Sequence, residues 1–458
     1  MKRTVVLDVV GLATGLIGEH TPNLARLAKA QDGARPLETL LPAVTCSVQA
    51  SMLTGLPVAA HGIVGNGWYW KDLAEVLLWR QVNGLVRGEK VWETARKRDA
   101  SVTCAKMFWW FNMYSSADFA VTPRPMYPSD GRKIPDIYTE PEDLRDELNA
   151  KLGAFPLFDF WGPRAGIRSS TWIAEASKRV FDEKKPTLSL VYLPHLDYEL
   201  QRVGPGDPRV AVALKEIDDV VGDLVDHFTK AGARVLVVSE YVITKVSRAV
   251  HPNRALRDAG LLRVRRELGT EKLDCGGSEA FAVADHQIAH VYVKKKERVP
   301  EVAKLLAKLP GVAEVLDAEA QRSRAIGHER SGDLVLVSDA DAWFTYYFWN
   351  DDAKAPDYAR TVDIHRKPGY DPVELFIDPA LPVPQLKVAF RLAQKMLGFR
   401  YLMDVIPLDA SLVKGSHGRP SEKADEQPVL LSTEPSLLPA KKAHVTDVKQ
   451  VILDHLFR

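Results

Sequence analysis

Short apolar, β-branched runs recur along this chain with helical segments between them, and that alternation constrains the fold more than any other feature. The runs are Thr4 to Leu7, Thr187 to Leu193, Arg234 to Ser239, Ala289 to Val293 and Asp333 to Val337. Between them, stretches such as Arg209 to Ala231 and Pro300 to Leu309 carry apolar residues at helical spacing. Strands alternating with helices predict an α/β fold: a mainly parallel central sheet with helices on both faces, and ligands beyond the carboxyl ends of the strands. Polar residues stand at three such ends. Asp8 closes the first run, Asp197 follows the second and Glu240 follows the third.

At 458 residues the chain is long enough for one large catalytic domain spanning 1–458 with inserted cap loops. The insertions are expected at about 109–173 and 342–378, which are rich in aromatics and prolines and lack strong periodicity, yet are too apolar for disorder. Lys and Arg number 61 against 60 Asp and Glu, so no field of one sign is available to hold a nucleic-acid polymer. Cys46, Cys104 and Cys275 lie far apart without metal-type spacing, which excludes a disulfide framework and fits a reducing cytoplasm. Asp8 in the first apolar run argues for a buried strand rather than a secretory leader. No apolar stretch reaches the roughly 18 residues of a membrane span, and no membrane partner is expected. The oligomeric state is not legible.

The segment LPAVTCSVQASMLTGLPVAAHGIVGN, Leu41 to Asn66, is the most informative in the chain. A strand ends near Leu41 and a helix opens near Thr45, where free backbone N–H groups and the helix dipole favour an anion. Two readings of Thr45 follow, an activated oxygen nucleophile or a plain helix N-cap. No Gly-x-Gly-x-x-Gly follows the first strand, which excludes a dinucleotide-binding oxidoreductase.

This segment resembles the nucleophile motif of the nucleotide pyrophosphatase/phosphodiesterase branch of the alkaline-phosphatase superfamily. Thr45, Thr54-Gly55-Leu56, His61-Gly62-Ile63 and Asn66 fall at the motif positions, while Pro57 comes one place early and Cys46-Ser47 depart from it. The resemblance implies that Thr45 is the nucleophile and that Asn66 binds a phosphate oxygen. It also implies two divalent ions. One set of ligands would be Asp197, Gln201 and His417; the other would be Asp8, Thr45, Glu240 and Tyr241. Gln201 stands where the family has a His, and Glu240-Tyr241 where it has Asp-His. His417, in LVKGSHGR, occupies the place of the last His ligand. With oxygen donors replacing imidazoles, Mn²⁺ or Mg²⁺ suits the sites better than Zn²⁺.

His365, in DIHRKPGYDP, is a second candidate ligand, weighed against an ordinary loop histidine. Arg366 and Lys367, with Arg124, Arg132 and Lys133, are candidate clamps for substrate phosphate, against the alternative of solvated loop charges. His195, His251, His286 and His290 read as structural. The expected activity is metal-dependent hydrolysis of a phosphodiester, pyrophosphate or related small phosphorylated substrate. The alternatives are a phosphonate or sulfate ester hydrolase, or a non-catalytic metabolite-binding descendant of the same fold.

Overall fold

A computed structural model describes residues 1–129, 131–440 and 442–458. The strand Thr4–Val9, buried at every position, is the axis of the molecule. It pairs in parallel with Leu188–Leu193 on one side and Arg234–Val238 on the other. Cys104–Met107 and Phe119–Pro123 continue the parallel order beyond Leu188–Leu193. Antiparallel Ile137–Glu140 and Val429–Ser432 are added outside, and Arg35–Glu38 and Ala443–His444 beyond Val429–Ser432 complete a nine-stranded sheet. Unbroken Val and Leu runs suit strands covered on both faces. The covering helices include Ile167–Lys184, Val210–Lys230 and Val448–Phe457, whose apolar faces enter one core with the strands.

Two sequence expectations are corrected. The runs at Ile288–Val293 and Leu334–Ser338 leave the main sheet and form a separate four-stranded antiparallel sheet with Ala280–Asp285 and Val312–Leu316. Only His286 and Gln287 separate the first two of these strands, a link far too short for a parallel crossover. Second, residues 109–173 are not loops alone, because they supply the sheet strands Phe119–Pro123 and Ile137–Glu140.

The smaller sheet has its own apolar core, including Phe281, Tyr292, Trp343, Tyr346 and Trp349. Among the described residues, no helix is long and apolar enough to cross a membrane.

Candidate active site

Asp8, Asp197 and Glu240 meet where the three central strands end, since parallel register brings their carboxyl ends to one edge. Thr45 is the first residue of the helix Thr45–Thr54. The cap position belongs to Val44, which makes no side-chain cap bond. The Thr45 hydroxyl is thus free of capping and lies 3.1 Å from the Tyr241 hydroxyl. Tyr241 in turn donates to Asp197 Oδ1 at 3.2 Å, so Thr45 is the donor to Tyr241. A continuous line of hydrogen bonds runs from Thr45 to Asp197.

The remaining Asp197 oxygen accepts from Gln201 Nε2 at 2.6 Å, and Gln201 Oε1 accepts from the Tyr370 hydroxyl at 3.1 Å. Asn66 is clamped on both sides: its Oδ1 accepts from Cys46 N, and its N and Nδ2 donate to Asp285 at 2.7 and 3.0 Å. One amide hydrogen of Asn66 remains for a ligand. His417 uses Nδ1 on Ala43 O at 2.8 Å, which assigns the proton to Nδ1 and leaves Nε2 as an acceptor. Its ring stacks on Tyr241 and packs against His286, both with centroids 3.6 Å away.

Two glycines permit these approaches. A Cβ on Gly415 would sit 2.1 Å from Leu200 O, and it is this contact that lets the His417 segment lie against Gln201. A Cβ on Gly369 would sit 2.6 Å from the Tyr346 Cβ, so only glycine lets Tyr370 lie beside Ala284 and the Asp285 turn. Trp110, Trp161 and Tyr370, from the two aromatic segments, roof the site together with Trp79.

Asp8, Asp197, Glu240 and Asp285 are all buried, and among the described residues no Lys or Arg pairs with any of them. Burial pushes the Asp197 carboxyl up to about 7, against the hydrogen bonds from Gln201 and Tyr241. Burial likewise raises Glu240 to about 7, and raises Asp8 well above the usual range with Glu240 beside it. His286 and His417 are pushed down by burial and are neutral imidazoles. Such a site is short of positive charge, which makes it receptive to a cation.

The residues fit one ion but not two. Gln49 Nε2 donates to Asp8 Oδ2 at 3.3 Å and Glu240 Oε1 at 2.5 Å, and the two carboxyls share a hydrogen bond with each other; Asp8 Oδ1 and Glu240 Oε2 take no bond from any other group among the described residues. Those two oxygens, with the Thr45 hydroxyl oxygen, form an all-oxygen set for a hard divalent ion. At Asp197 the expected second set is not arranged for an ion, because Gln201 turns its Nε2 donor to Asp197 Oδ2 and its Oε1 accepts from Tyr370, while Tyr241 donates to Asp197 Oδ1. His417 Nε2 stands 3.9 Å from Asp197 Oδ1. Tyr241 accordingly joins Thr45 to Asp197 instead of completing the Asp8 and Glu240 set. Among the described residues, no three His, Cys, Asp or Glu side chains form a metal cluster.

Other expectations are also corrected. His365 is exposed and bonds the Leu78 backbone, and the chain turns at Pro368-Gly369 so that Tyr370 is the side chain that reaches Gln201. Arg366 is exposed and pairs with Asp363 at 3.3 Å. Lys367 is buried and spent on Asp371 and Glu374, each at 2.7 Å, so it cannot clamp a substrate. His290 is structural, bridging Val64 O and Gly332 N. His286 is not: it sits in the site with φ of 61°, bonded to Asp285 at 2.7 Å. Sequence reasoning missed Asp285, His286 and Gln49. The Asp-His dipeptide at the end of an apolar run was the available signal for the first two, and helical i, i+4 spacing from Thr45 for the third.

Comparison with known proteins gives the family and the fold. Residues 4–371 match the family described as type I phosphodiesterase / nucleotide pyrophosphatase. A curated pyrophosphatase/phosphodiesterase of Schizosaccharomyces pombe, itself uncharacterised, is 25% identical over 237 residues, 49% of this chain and 41% of that one. The chain thus spans about two fifths of that relative's length. Among solved structures, murine ectonucleotide pyrophosphatase/phosphodiesterase 5, as an inactive Thr-to-Ala variant with AMP, is similar at TM-score 0.58. It shares 15% identity, with 100% of this chain and 95% of that one covered. Phosphonoacetate hydrolase from Sinorhizobium meliloti 1021, with phosphonoformate, gives 0.59 at 14% identity over 99% and 96%. At these identities the structures establish the fold alone. With four fifths of its length matched and its strand-end carboxylates grouped around Thr45, this chain belongs to the type I phosphodiesterase/nucleotide pyrophosphatase family of hydrolases.

Proposed function

We propose that the chain hydrolyses a small phosphodiester or pyrophosphate, with Thr45 as the nucleophile. The hydrogen-bonded line Thr45–Tyr241–Asp197, at 3.1 and 3.2 Å, carries this reading. Thr45 Oγ attacks phosphorus as the bond to the leaving oxygen breaks. The Thr45 proton passes to Tyr241, whose own proton passes to Asp197 Oδ1. An acceptor with a pKa raised to about 7 is matched to that task near neutral pH. Asn66, held by Asp285 and Cys46, donates its remaining amide hydrogen to a non-bridging oxygen. The leaving oxygen takes a proton from water, and the hydroxide so formed attacks the phosphothreonine. The relay then runs backwards and returns the proton to Thr45.

Asp8, Glu240 and Thr45 would hold one hard divalent ion, which when bound supplies positive charge to a site otherwise lined with carboxylates. Metal dependence on Mg²⁺ or Mn²⁺ is part of the proposal. The solved relatives carry AMP and phosphonoformate, both small phosphorus-bearing anions, which supports a substrate of that size.

Thr45→Ala tests the reading against a panel of chromogenic phosphodiesters, monoesters, phosphonates and sulfates. Turnover of the best substrate should vanish and return in part with Thr45→Ser. Near-native turnover in Thr45→Ala would sink the covalent route. A second reading, binding of a phosphorylated metabolite without turnover, draws support from the fully bonded Asp197. It would be favoured if no compound in the panel were hydrolysed while AMP still bound.

A further inference from the structure

His286 has one polar atom that the mechanism above leaves idle. Its Nδ1 lies 2.7 Å from Asp285 Oδ1, and the same carboxylate accepts from the backbone N and the Nδ2 of Asn66. A carboxylate that only accepts puts the imidazole proton on Nδ1 and leaves Nε2 bare. That nitrogen is buried and, among the described residues, has no hydrogen-bond partner. Buried polar atoms are nearly always paired, so an orphan inside a site marks the place of a bound molecule.

The other contacts of the ring fix it in position. Tyr370 and His417 both pack against it, each with ring centroids 3.6 Å away. Gln287 N pins the turn by donating to His417 O at 2.8 Å. His286 opens the two-residue link between Ala280–Asp285 and Ile288–Val293, and it keeps a φ of 61° where such turns ordinarily take Asn, Asp or Gly.

The free atom selects what it can hold. A bare imidazole nitrogen accepts hydrogen bonds, and phosphate oxygens accept them too, so Nε2 takes an O–H donor rather than the phosphoryl group. It stands beside that group, because Asn66 Nδ2 and His286 Nδ1 share Asp285 Oδ1. Thr45 stands elsewhere: it bonds Tyr241, which stacks on His417, so two ring steps separate its partner from His286. Water that displaces Thr45 in line must enter on the side away from it.

We propose that His286 Nε2 holds the water that hydrolyses the phosphorylated Thr45; the proposal rests on Thr45 being the nucleophile. The water donates one hydrogen to Nε2 and turns a lone pair to phosphorus. Its O–P bond forms as the bond from phosphorus to Thr45 Oγ breaks. Its other proton goes to the oxygen that left in the first step, and Thr45 Oγ recovers a proton from Asp197 through Tyr241.

Two variants separate this role from that of a brace for Asp285. His286→Asn tolerates the positive φ and can set its amide nitrogen where Nδ1 stands, with nothing at Nε2. His286→Gln can set its amide oxygen at Nε2 and gives up the bond to Asp285. The probe is bis(p-nitrophenyl) phosphate with Mn²⁺ at saturation, whose nitrophenolate departs without waiting for a proton. His286→Asn should release about one equivalent per chain in a burst, with the nitrophenyl phosphate found on Thr45 by peptide mass spectrometry. Its kcat and KM should fall together by about 10²-fold, leaving kcat/KM in place. His286→Gln should regain about ten-fold of that loss. Native kcat in His286→Asn, the result expected if His286 held a substrate hydroxyl that this probe lacks, would overturn the proposal. So would a fall in kcat/KM without the adduct, or a His286→Gln protein slower than His286→Asn. Turnover that survives in Thr45→Ala, or no release by the native chain, would instead refute the nucleophile, and the proposal would fall with it.

Discussion

Tyr241→Phe removes one oxygen from the middle of the proposed relay and leaves its ring stacked on His417. Among the described residues Asp197 Oδ1 then loses its only hydrogen-bond donor, with His417 Nε2 an acceptor at 3.9 Å. A buried acceptor left unsatisfied costs about 1–3 kcal/mol, and the thermal midpoint of a domain this large should fall by only a few degrees. The catalytic loss should be larger, since a positioned proton acceptor contributes roughly 10²–10⁴-fold. The assay is kcat and KM against pH for both proteins, with metal supplied at saturation. In the native enzyme, activity should rise with pH as Asp197 ionises; in Tyr241→Phe, kcat should drop with little change in KM, and that rise should disappear. If Tyr241→Phe keeps kcat within about three-fold and the same pH profile, Thr45 loses its proton by another path.

After dialysis against Mn²⁺, metal analysis should find about one ion per chain, and Asp8→Asn should lose it; two tightly held ions would show that the Asp197 set opens to metal after all. In chelator, the raised carboxyls make stability depend on pH: the folded chain keeps protons on Asp197 and Glu240 that the unfolded chain releases near pH 4. That contribution is complete below about pH 4 and is lost as pH rises through about 7, so calorimetry should give a lower Tm at pH 8 than at pH 5, and the reverse order would refute the assignment. Lys367→Met strands Asp371 and Glu374 without a cation and should cost about 3–5 kcal/mol by urea unfolding; a loss under about 1 kcal/mol would mean that water reaches them.

The parallel strands, and with them Asp8, Asp197 and Glu240, were legible in the sequence because continuous apolar runs and their polar ends are local signals. Thr45, Asn66 and His417 were legible through contiguous motifs. Asp285 and His286 were not, because their place depends on the small sheet packing back against Asn66, a contact more than two hundred residues distant in sequence. His365 was overvalued for a related reason. Its segment does reach the site, but Gly369 decides which side chain enters, and that depends on the backbone of Ala284.

The bonds from Asn66 to Asp285 join a loop whose neighbours Ile63 and Val64 pack in a core shared with Cys46, Ala50, Val335 and Val337 to a turn whose neighbour Ala284 packs in the core of the four-stranded sheet. Neither body of the protein owns the pocket. A ligand gripped by Thr45 and Asn66 must therefore act as a rivet between them, and any loosening of that seam should be felt as lost affinity long before either core melts.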